Sequence, residues 1–91
     1  MSAMVDIVLV RTVADVGARV RAGRHALGLT QAQLAQRLGM SRQWVVDLEA
    51  GRGAPGFGAV VTALAEVGIS LNAVPAPDTS LLDAIVDRAT R

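Results

Sequence analysis

Four polar side chains open one short amphipathic segment, and their types are those that recognise nucleic-acid bases. Ser41, Arg42 and Gln43 begin the segment, and Asp47 lies one turn further along, on the same face as Gln43. An Arg side chain can bind guanine through two hydrogen bonds, and Gln can bind adenine in the same way. Asp47 can accept from a cytosine amine, or orient Arg42 or Gln43. The pattern therefore indicates a surface that reads base edges.

A pair of short amphipathic helices is predicted to hold these side chains. Thr30 is a typical N-cap before a helix pattern over 31–38, and Ser41 caps a second pattern over 42–50. Gly39 lies between the two patterns and can adopt the left-handed conformation that a tight turn between helices needs. This order is that of a helix-turn-helix, in which the second helix lies in the major groove of DNA.

Three further residues are predicted to contact the DNA backbone. Gln31 begins the first helix of the pair, where a side-chain amide and free backbone N–H groups can meet a phosphate. Trp44 has two interpretations, a partly buried residue at the core edge or a ring stacked on a sugar-phosphate strand. The usual burial of Trp favours the first interpretation. Arg52 follows the second helix, in a loop over 52–56, and is predicted to contact the backbone.

Two more helices are predicted, one before this pair and one after it. Thr12 caps the earlier helix with Asp15 in a weak form of the capping box, and Gly28 ends it. The later helix runs from about Phe57 to Val67. Helical spacing predicts that these helices bury Val13, Val16, Val20, Leu27, Leu34, Ala35, Leu38, Val45, Leu48, Val60, Val61 and Leu64.

Short strands are predicted towards both ends of a mainly α fold. Val5–Val10 is rich in β-branched residues, and Ile69–Val74 alternates apolar and polar residues with Ile69, Leu71 and Ala73 on one face. A proline-containing hinge then precedes a last short apolar helix. The predicted division is an N-terminal strand over 1–11, a helix-turn-helix DNA-binding domain over 12–68, a dimerisation strand over 69–75 and a tail helix over 76–91.

The composition indicates a single small domain with an aliphatic core. The chain has 91 residues, of which 52% are hydrophobic and only Trp44 and Phe57 are aromatic. A core of this size is marginal alone, which favours a homodimer. Residues 11–52 hold seven Arg against three acidic residues, whereas residues 53–91 hold two Arg against four. A basic half and a mildly acidic half suggest different partners for the two.

Several function classes are disfavoured by the residues that the chain lacks. There is no Cys and one His, His25, so the sequence predicts no metal site, no cofactor and no enzyme. No apolar run reaches the ~18 residues of a membrane span. The apolar start lacks the basic region and cleavage site of a signal peptide. The sequence predicts a cytoplasmic protein.

The helix pair also resembles a known family. The stretch L-T-Q-A-Q-L-A-Q-R-L-G-M-S-R-Q-W-V-V-D-L-E-A-G is similar to the helix-turn-helix of the XRE family, the phage-repressor type. The motif T-Q-x-x-L-A, then G-x-S, then L-E-x-G is highly specific for that family, and the resemblance covers residues 13 to about 67. It implies a four- or five-helix repressor-like domain that binds DNA as a dimer.

The resemblance also implies roles for individual residues. It implies that Gln31 contacts a phosphate. It also implies that four side chains face the bases, those of Ser41, Arg42, Gln43 and Asp47. Arg24 and Glu49 match an Arg–Glu pair that ties the first helix to the recognition helix in related repressors. Val46 departs from the family pattern, because that outward position is usually polar.

A narrower resemblance is to HipB-type antitoxins. The S-R-Q-W run, the L-E-x-G-R-G continuation and I-S-L-N-A-V before Pro75 are similar to that subfamily. It implies that the strand pairs with its two-fold mate in a dimer, and that the protein neutralises a kinase-like toxin and represses its own operon. Two alternatives stay open, a stand-alone transcription regulator and a protein-interaction module that does not bind DNA.

Overall fold

The computed structural model describes residues 9–73, 75 and 85–89, and four helices lie between residues 13 and 66. They are α1 (Val13–Ala26), α2 (Gln31–Leu38), α3 (Arg42–Glu49) and α4 (Phe57–Glu66). Residues 85–89 are also helical, within the region predicted as a tail helix. The mainly helical prediction is confirmed. The bounds of α2 agree with the predicted helix, and α3 and α4 each end one residue earlier than predicted.

Side-chain caps explain where the first three helices begin. At α1, Thr12 Oγ1 accepts from the backbone N–H of Asp15 at 3.2 Å, and Asp15 Oδ2 accepts from the Thr12 N–H at 3.1 Å. Thr30 and Gln33 form the same reciprocal box at α2. At α3, Ser41 Oγ accepts from the Trp44 N–H at 3.0 Å. Each cap satisfies backbone donors that a helix start leaves unpaired.

A left-handed glycine makes the turn between α2 and α3. Gly39 has φ 67° and ψ 26°, a conformation that costs an L side chain energy and costs glycine little. Its N–H donates to the Gln36 carbonyl, and the Met40 N–H donates to the Ala35 carbonyl at 3.0 Å. Both bonds satisfy carbonyls at the end of α2. The chain can therefore reverse direction and start α3 within three residues.

The core is aliphatic and draws on all four helices. Leu34, Val45, Leu48 and Leu64 are almost fully buried, as is Val20 from α1. Burying each such side chain stabilises the fold by about 1.5–3 kcal/mol. The remaining buried apolar residues among those described are Val16, Ala35, Val60, Ala63 and Val67. The shared core therefore packs α3 against α1 and α2.

Two of the predicted core residues are exposed. Leu27 is 51% exposed because α1 ends at Ala26 and Leu27 is already its C-cap. Val61 is 38% exposed, because it is rotated about 100° from Val60 around the helix axis. On α4 the buried stripe follows Val60, Ala63, Leu64 and Val67 at helical spacing.

The terminal strands are not found in the described residues. Of Val5–Val10, only Leu9 and Val10 are described, and both lack regular structure. Of Ile69–Val74, residues 69–73 are described and lack regular structure, and Val74 lies outside the described residues. The Ile69 N–H donates to the Leu64 carbonyl at 2.9 Å, so it closes the end of α4. A strand needs a neighbouring strand to accept its ladder bonds, and among the described residues of one copy no strand lies beside 69–73.

Helices α1 and α3 meet at very close range. Gly17 is buried in α1, and a Cβ added there would clash with the Leu48 carbonyl oxygen and lie 3.0 Å from Glu49 Cα. Only glycine lets the two backbones approach this closely. The same contact sets the position of α3 relative to α1. Across the described residues, every helix falls short of the length and hydrophobicity of a membrane span.

Candidate nucleic-acid interface

The first turn of α3 presents its polar side chains to solvent. Ser41, Arg42 and Gln43 are exposed, while Val45 and Leu48 on the opposite face are buried at 0% and 1% exposure. Because the buried face fixes the rotation of the helix about its axis, the polar face can point only outward. Ser41 uses its hydroxyl oxygen as the helix cap, and its hydroxyl hydrogen is a further donor.

A buried ion pair ties the end of α3 to α1. Arg24 Nε donates to Glu49 Oε2 at 2.7 Å and Nη2 donates to Glu49 Oε1 at 2.8 Å, a two-bond contact. Arg24 Nη1 donates to the Leu29 carbonyl at 2.9 Å, so the same guanidinium also holds the α1–α2 connection. The hydrogen bonds with Glu49 raise the pKa of Arg24, against the lowering effect of burial. The structure thus brings together the two residues of the predicted pair.

Gln31 belongs to the same network. This residue is half-buried at the start of α2, and its Nε2 donates to Glu49 Oε1 at 3.3 Å. An amide nitrogen carries two hydrogens, so one N–H and the amide oxygen are left for another partner. The sequence did not predict the contact between Gln31 and Glu49, because the two residues are 18 positions apart and no local pattern links them.

A second network runs along the exposed face of α3. Gln43 Nε2 donates to Asp47 Oδ1 at 3.0 Å, and Arg52 Nη2 lies 3.4 Å from the same oxygen. The side chains of Arg52 and Asp47 are 64% and 42% exposed, so solvent weakens this ion pair. The sequence left open whether Asp47 orients Gln43, and it did not indicate that Arg52 would reach Asp47.

Trp44 lies between the core and the solvent. It is half-buried and packs against the buried cluster, which agrees with the favoured interpretation of its burial. A small open cavity of about 130 Å³ lies beside it, lined also by Asp47, Arg52 and Pro55. Trp44 therefore borders the same surface as the second network.

The three residues predicted for a dimer strand follow the end of α4. Ile69 is half-buried and packs against the core, whereas Leu71 is 41% exposed and Ala73 is exposed. Only Ile69 of the three is therefore committed to the core of its own chain. Among the described residues, no three His, Cys, Asp or Glu side chains are grouped closely enough to hold a metal ion.

Two capped helices joined by a left-handed glycine, with the second exposing a polar first turn, define a helix-turn-helix domain. A family model described as a helix-turn-helix domain matches residues 15–74. The chain therefore belongs to the helix-turn-helix family, and the similar proteins place it with the XRE type.

Three relatives illustrate the range of that family. The chain is 38% identical over 63 residues to an uncharacterised HTH-type transcriptional regulator of Sinorhizobium fredii, covering 69% of this chain and 83% of that protein. It is 50% identical over 36 residues to another such regulator, from Methanothermobacter thermautotrophicus, covering 40% of this chain and 52% of that protein. It is 33% identical over 64 residues to the immunity repressor protein of Bacillus phage phi105, covering 70% of this chain and 44% of that protein.

Proposed function

We propose that this protein is a transcriptional repressor that binds double-stranded DNA at a specific sequence. The observation that carries the proposal is the exposed first turn of α3, with Arg42 and Gln43 outward while Val45 and Leu48 are buried behind them. A helix held in this way can enter the major groove with its first residues on base edges. The family match and the regulator and repressor names of similar proteins support it.

The proposed contacts divide into those that read bases and those that hold the backbone. Ser41, Arg42 and Gln43 face the bases, with Asp47 on the same face. Gln31 contacts phosphate from the start of α2, through the side-chain N–H that it does not donate to Glu49. Trp44 and Arg52 contact the backbone from the border of this surface. Contacts of the second kind position the helix and carry no sequence information themselves.

The proposed acting form is a homodimer. The described core is small and aliphatic, and Leu71 remains 41% exposed beyond α4. Residues 69–73 have no regular structure in one copy, and a second copy would supply the strand partner that they lack. Two recognition helices about 34 Å apart would then meet successive major grooves on one side of the DNA.

A narrower role is proposed within this function, that of an antitoxin which binds a kinase-like toxin and represses its own operon. Its support is the sequence resemblance of the S-R-Q-W run and the I-S-L-N-A-V segment to HipB-type antitoxins. Co-purification of the product of a neighbouring kinase-like gene would favour it. A stand-alone regulator predicts no such gene and no such complex.

DNA binding itself is tested with the protein and the DNA upstream of its own gene. We expect tighter binding to that duplex than to a scrambled duplex of the same composition, and weaker binding to both as salt rises. Equal affinity for the two duplexes would contradict a specific site. No measurable affinity for either duplex at any salt concentration would instead favour a protein-interaction module that does not bind DNA.

A further inference from the structure

A chain of three polar side chains runs along α3 and ends in the loop beyond it. Gln43 donates to Asp47 at 3.0 Å, and Arg52 lies 3.4 Å from the same Asp47 oxygen. An exposed network of this kind contributes little to the stability of a fold, because solvent screens the charges. Its position on the proposed reading face points to a role in recognition.

The chemistry of Asp47 fixes which way the Gln43 amide points. An ionised carboxylate only accepts hydrogen bonds, whereas an amide has a donor end and an acceptor end. The flipped amide would set its oxygen against the carboxylate oxygen, so Gln43 must turn its nitrogen to Asp47. One N–H and the amide oxygen of Gln43 are then left for a partner, and these are the groups that bind N7 and N6 of adenine.

The positive charge of Arg52 favours a carboxylate at Asp47 on the face that is proposed to read DNA. A negative charge on the face that enters the groove is repelled by the DNA phosphates. The guanidinium of Arg52, 3.4 Å from Asp47 Oδ1, offsets that charge and favours the conformation of Asp47 that Gln43 reaches. Holding the amide in one orientation before binding lowers the entropy that is lost when the base contact forms.

We propose that Asp47 and Arg52 are positioning residues that set the Gln43 amide to recognise adenine, and that they determine specificity without reading a base themselves. This inference rests on the proposed function, in which α3 lies in the major groove. It differs from the two simpler roles, a cytosine contact made by Asp47 and a phosphate contact made by Arg52 alone.

The test is selection of binding sites from a pool of randomised duplex DNA, with the wild type and single variants. Comparison with Gln43→Ala identifies the base pair that Gln43 reads, which we expect to be adenine with a preference of roughly 5- to 150-fold. We expect Asp47→Asn to lose most of this preference, because an amide at 47 can pair with either end of Gln43. Arg52→Ala should reduce the preference at the same base pair and leave the other positions unchanged.

Arg37→Ala is the matched control. Arg37 also forms an exposed ion pair, 3.8 Å from Glu66, with side chains 51% and 36% exposed, but it does not join the Gln43–Asp47 network. Its loss removes one positive charge in the same way and should keep the adenine preference. A double variant, Asp47→Asn with Arg52→Ala, should show little further loss of preference beyond Asp47→Asn, because both residues act through one amide.

Three results would overturn the inference. One is a full adenine preference in Arg52→Ala with uniformly weaker binding and a lower salt slope, which would make Arg52 a phosphate contact only. A second is a cytosine preference at another base pair that disappears in Asp47→Asn. The third is no preferred sequence for the wild type, which would reject the proposed function as well and so differs from the first two.

Discussion

The proposed separation between base contacts and backbone contacts can be tested by substituting single residues. Losing a two-bond base contact makes the binding free energy for the correct base less favourable by about 1–3 kcal/mol. It also weakens the base preference at that position of the site. We therefore expect Arg42→Ala and Gln43→Ala to shrink the affinity gap between operator and random DNA. Gln31→Ala should lower both affinities and keep their ratio, with little change in salt slope because Gln31 is uncharged.

Titration of these variants against operator and scrambled duplexes at two salt concentrations measures both quantities. Gln31 donates to the part-buried Glu49 carboxylate, so the unfolding curve of Gln31→Ala is needed to separate lost DNA contact from lost stability. If Arg42→Ala keeps the full wild-type ratio, the assignment of base contacts to the start of α3 is wrong.

The buried guanidinium of Arg24 makes Glu49 important for stability. The Arg24 and Glu49 side chains are only 10% and 4% exposed, and Glu49→Ala would leave a buried positive charge without its partner. Removing one member of a fully buried pair costs on the order of 3–5 kcal/mol, which is the upper bound for this part-buried pair. Asp47→Ala removes an exposed carboxylate and should cost less than about 1 kcal/mol. Urea unfolding measures both, and equal midpoints for the two variants would contradict the importance of the pair.

The start of α1 should respond to acid through Asp15. This carboxylate accepts from the Arg11 N–H at 2.8 Å, and that bond, helped by those from Thr12, lowers the pKa of Asp15 below 3.8. A carboxyl whose pKa is lower in the folded chain stabilises the fold above its unfolded pKa. That stability is lost as the pH falls through its folded pKa.

We therefore expect the wild-type Tm to fall as the pH drops from about 5 through 3.8 and below. Other carboxyls contribute to this fall, so the informative quantity is the difference between the wild type and Asp15→Asn. That difference should be largest near neutral pH and narrow in acid, because Asn cannot be protonated in this range. A constant difference in Tm across the range would mean that the charge of Asp15 does not stabilise α1.

The contact between α1 and α3 is an element-scale feature that depends on one glycine. In Gly17→Ala the added Cβ meets the backbone of α3, which cannot move aside as a side chain can. Overpacking of this kind costs about 1–3 kcal/mol. Gly58→Ala is the control, because Gly58 lies in α4 with open space around its Cβ position. That change should stabilise the fold, by at most the roughly 0.5–1 kcal/mol of a mid-helix position because Gly58 lies in the first turn.

Urea unfolding of the two glycine variants measures these opposite effects. Because Gly17 also sets the position of α3, the proposed recognition helix, Gly17→Ala should weaken specific DNA binding in any fraction that stays folded. Stabilisation by both substitutions would contradict a close contact between α1 and α3 at Gly17.

Dimerisation is a prediction about the whole molecule. If residues 69–73 pair with their two-fold mates, Leu71→Lys should give a monomer by sedimentation, because a charge would enter the new sheet. Leu71 is 41% exposed in one copy, so the same change should leave the protomer folded. Val61→Lys, on the exposed face of α4 at 38% exposure, is the matched control and should stay dimeric.

The two substitutions also separate alternative dimers. Dissociation by Val61→Lys and not by Leu71→Lys would move the interface to α4 and reject the strand pairing. A monomeric wild type at micromolar concentration would reject the dimer altogether. In either case the spacing of about 34 Å expected between recognition helices would no longer follow.

The sequence alone determined the helices and the polar face of α3. Caps and stop signals act between residues three or four apart, so Thr30, Gly39 and Ser41 set where α2, the turn and α3 begin and end, although helices this short depend on packing for their stability. Helical spacing likewise predicted the buried positions of α2 and α3. The motif around them was specific enough to indicate the family and to suggest the pairing of Arg24 with Glu49.

Only the tertiary structure decided which distant groups meet and how closely. The contact of Gln31 with Glu49 and that of Arg52 with Asp47 depend on how α2, α3 and the following loop are placed. Periodicity marks a stripe without saying how wide the buried face is, so Val61 was wrongly predicted to be buried. Segment 69–73 failed as a strand for a related reason. Its alternating pattern indicates a preference for an extended chain, but the ladder bonds must come from a second strand, and none lies beside it among the described residues of one copy.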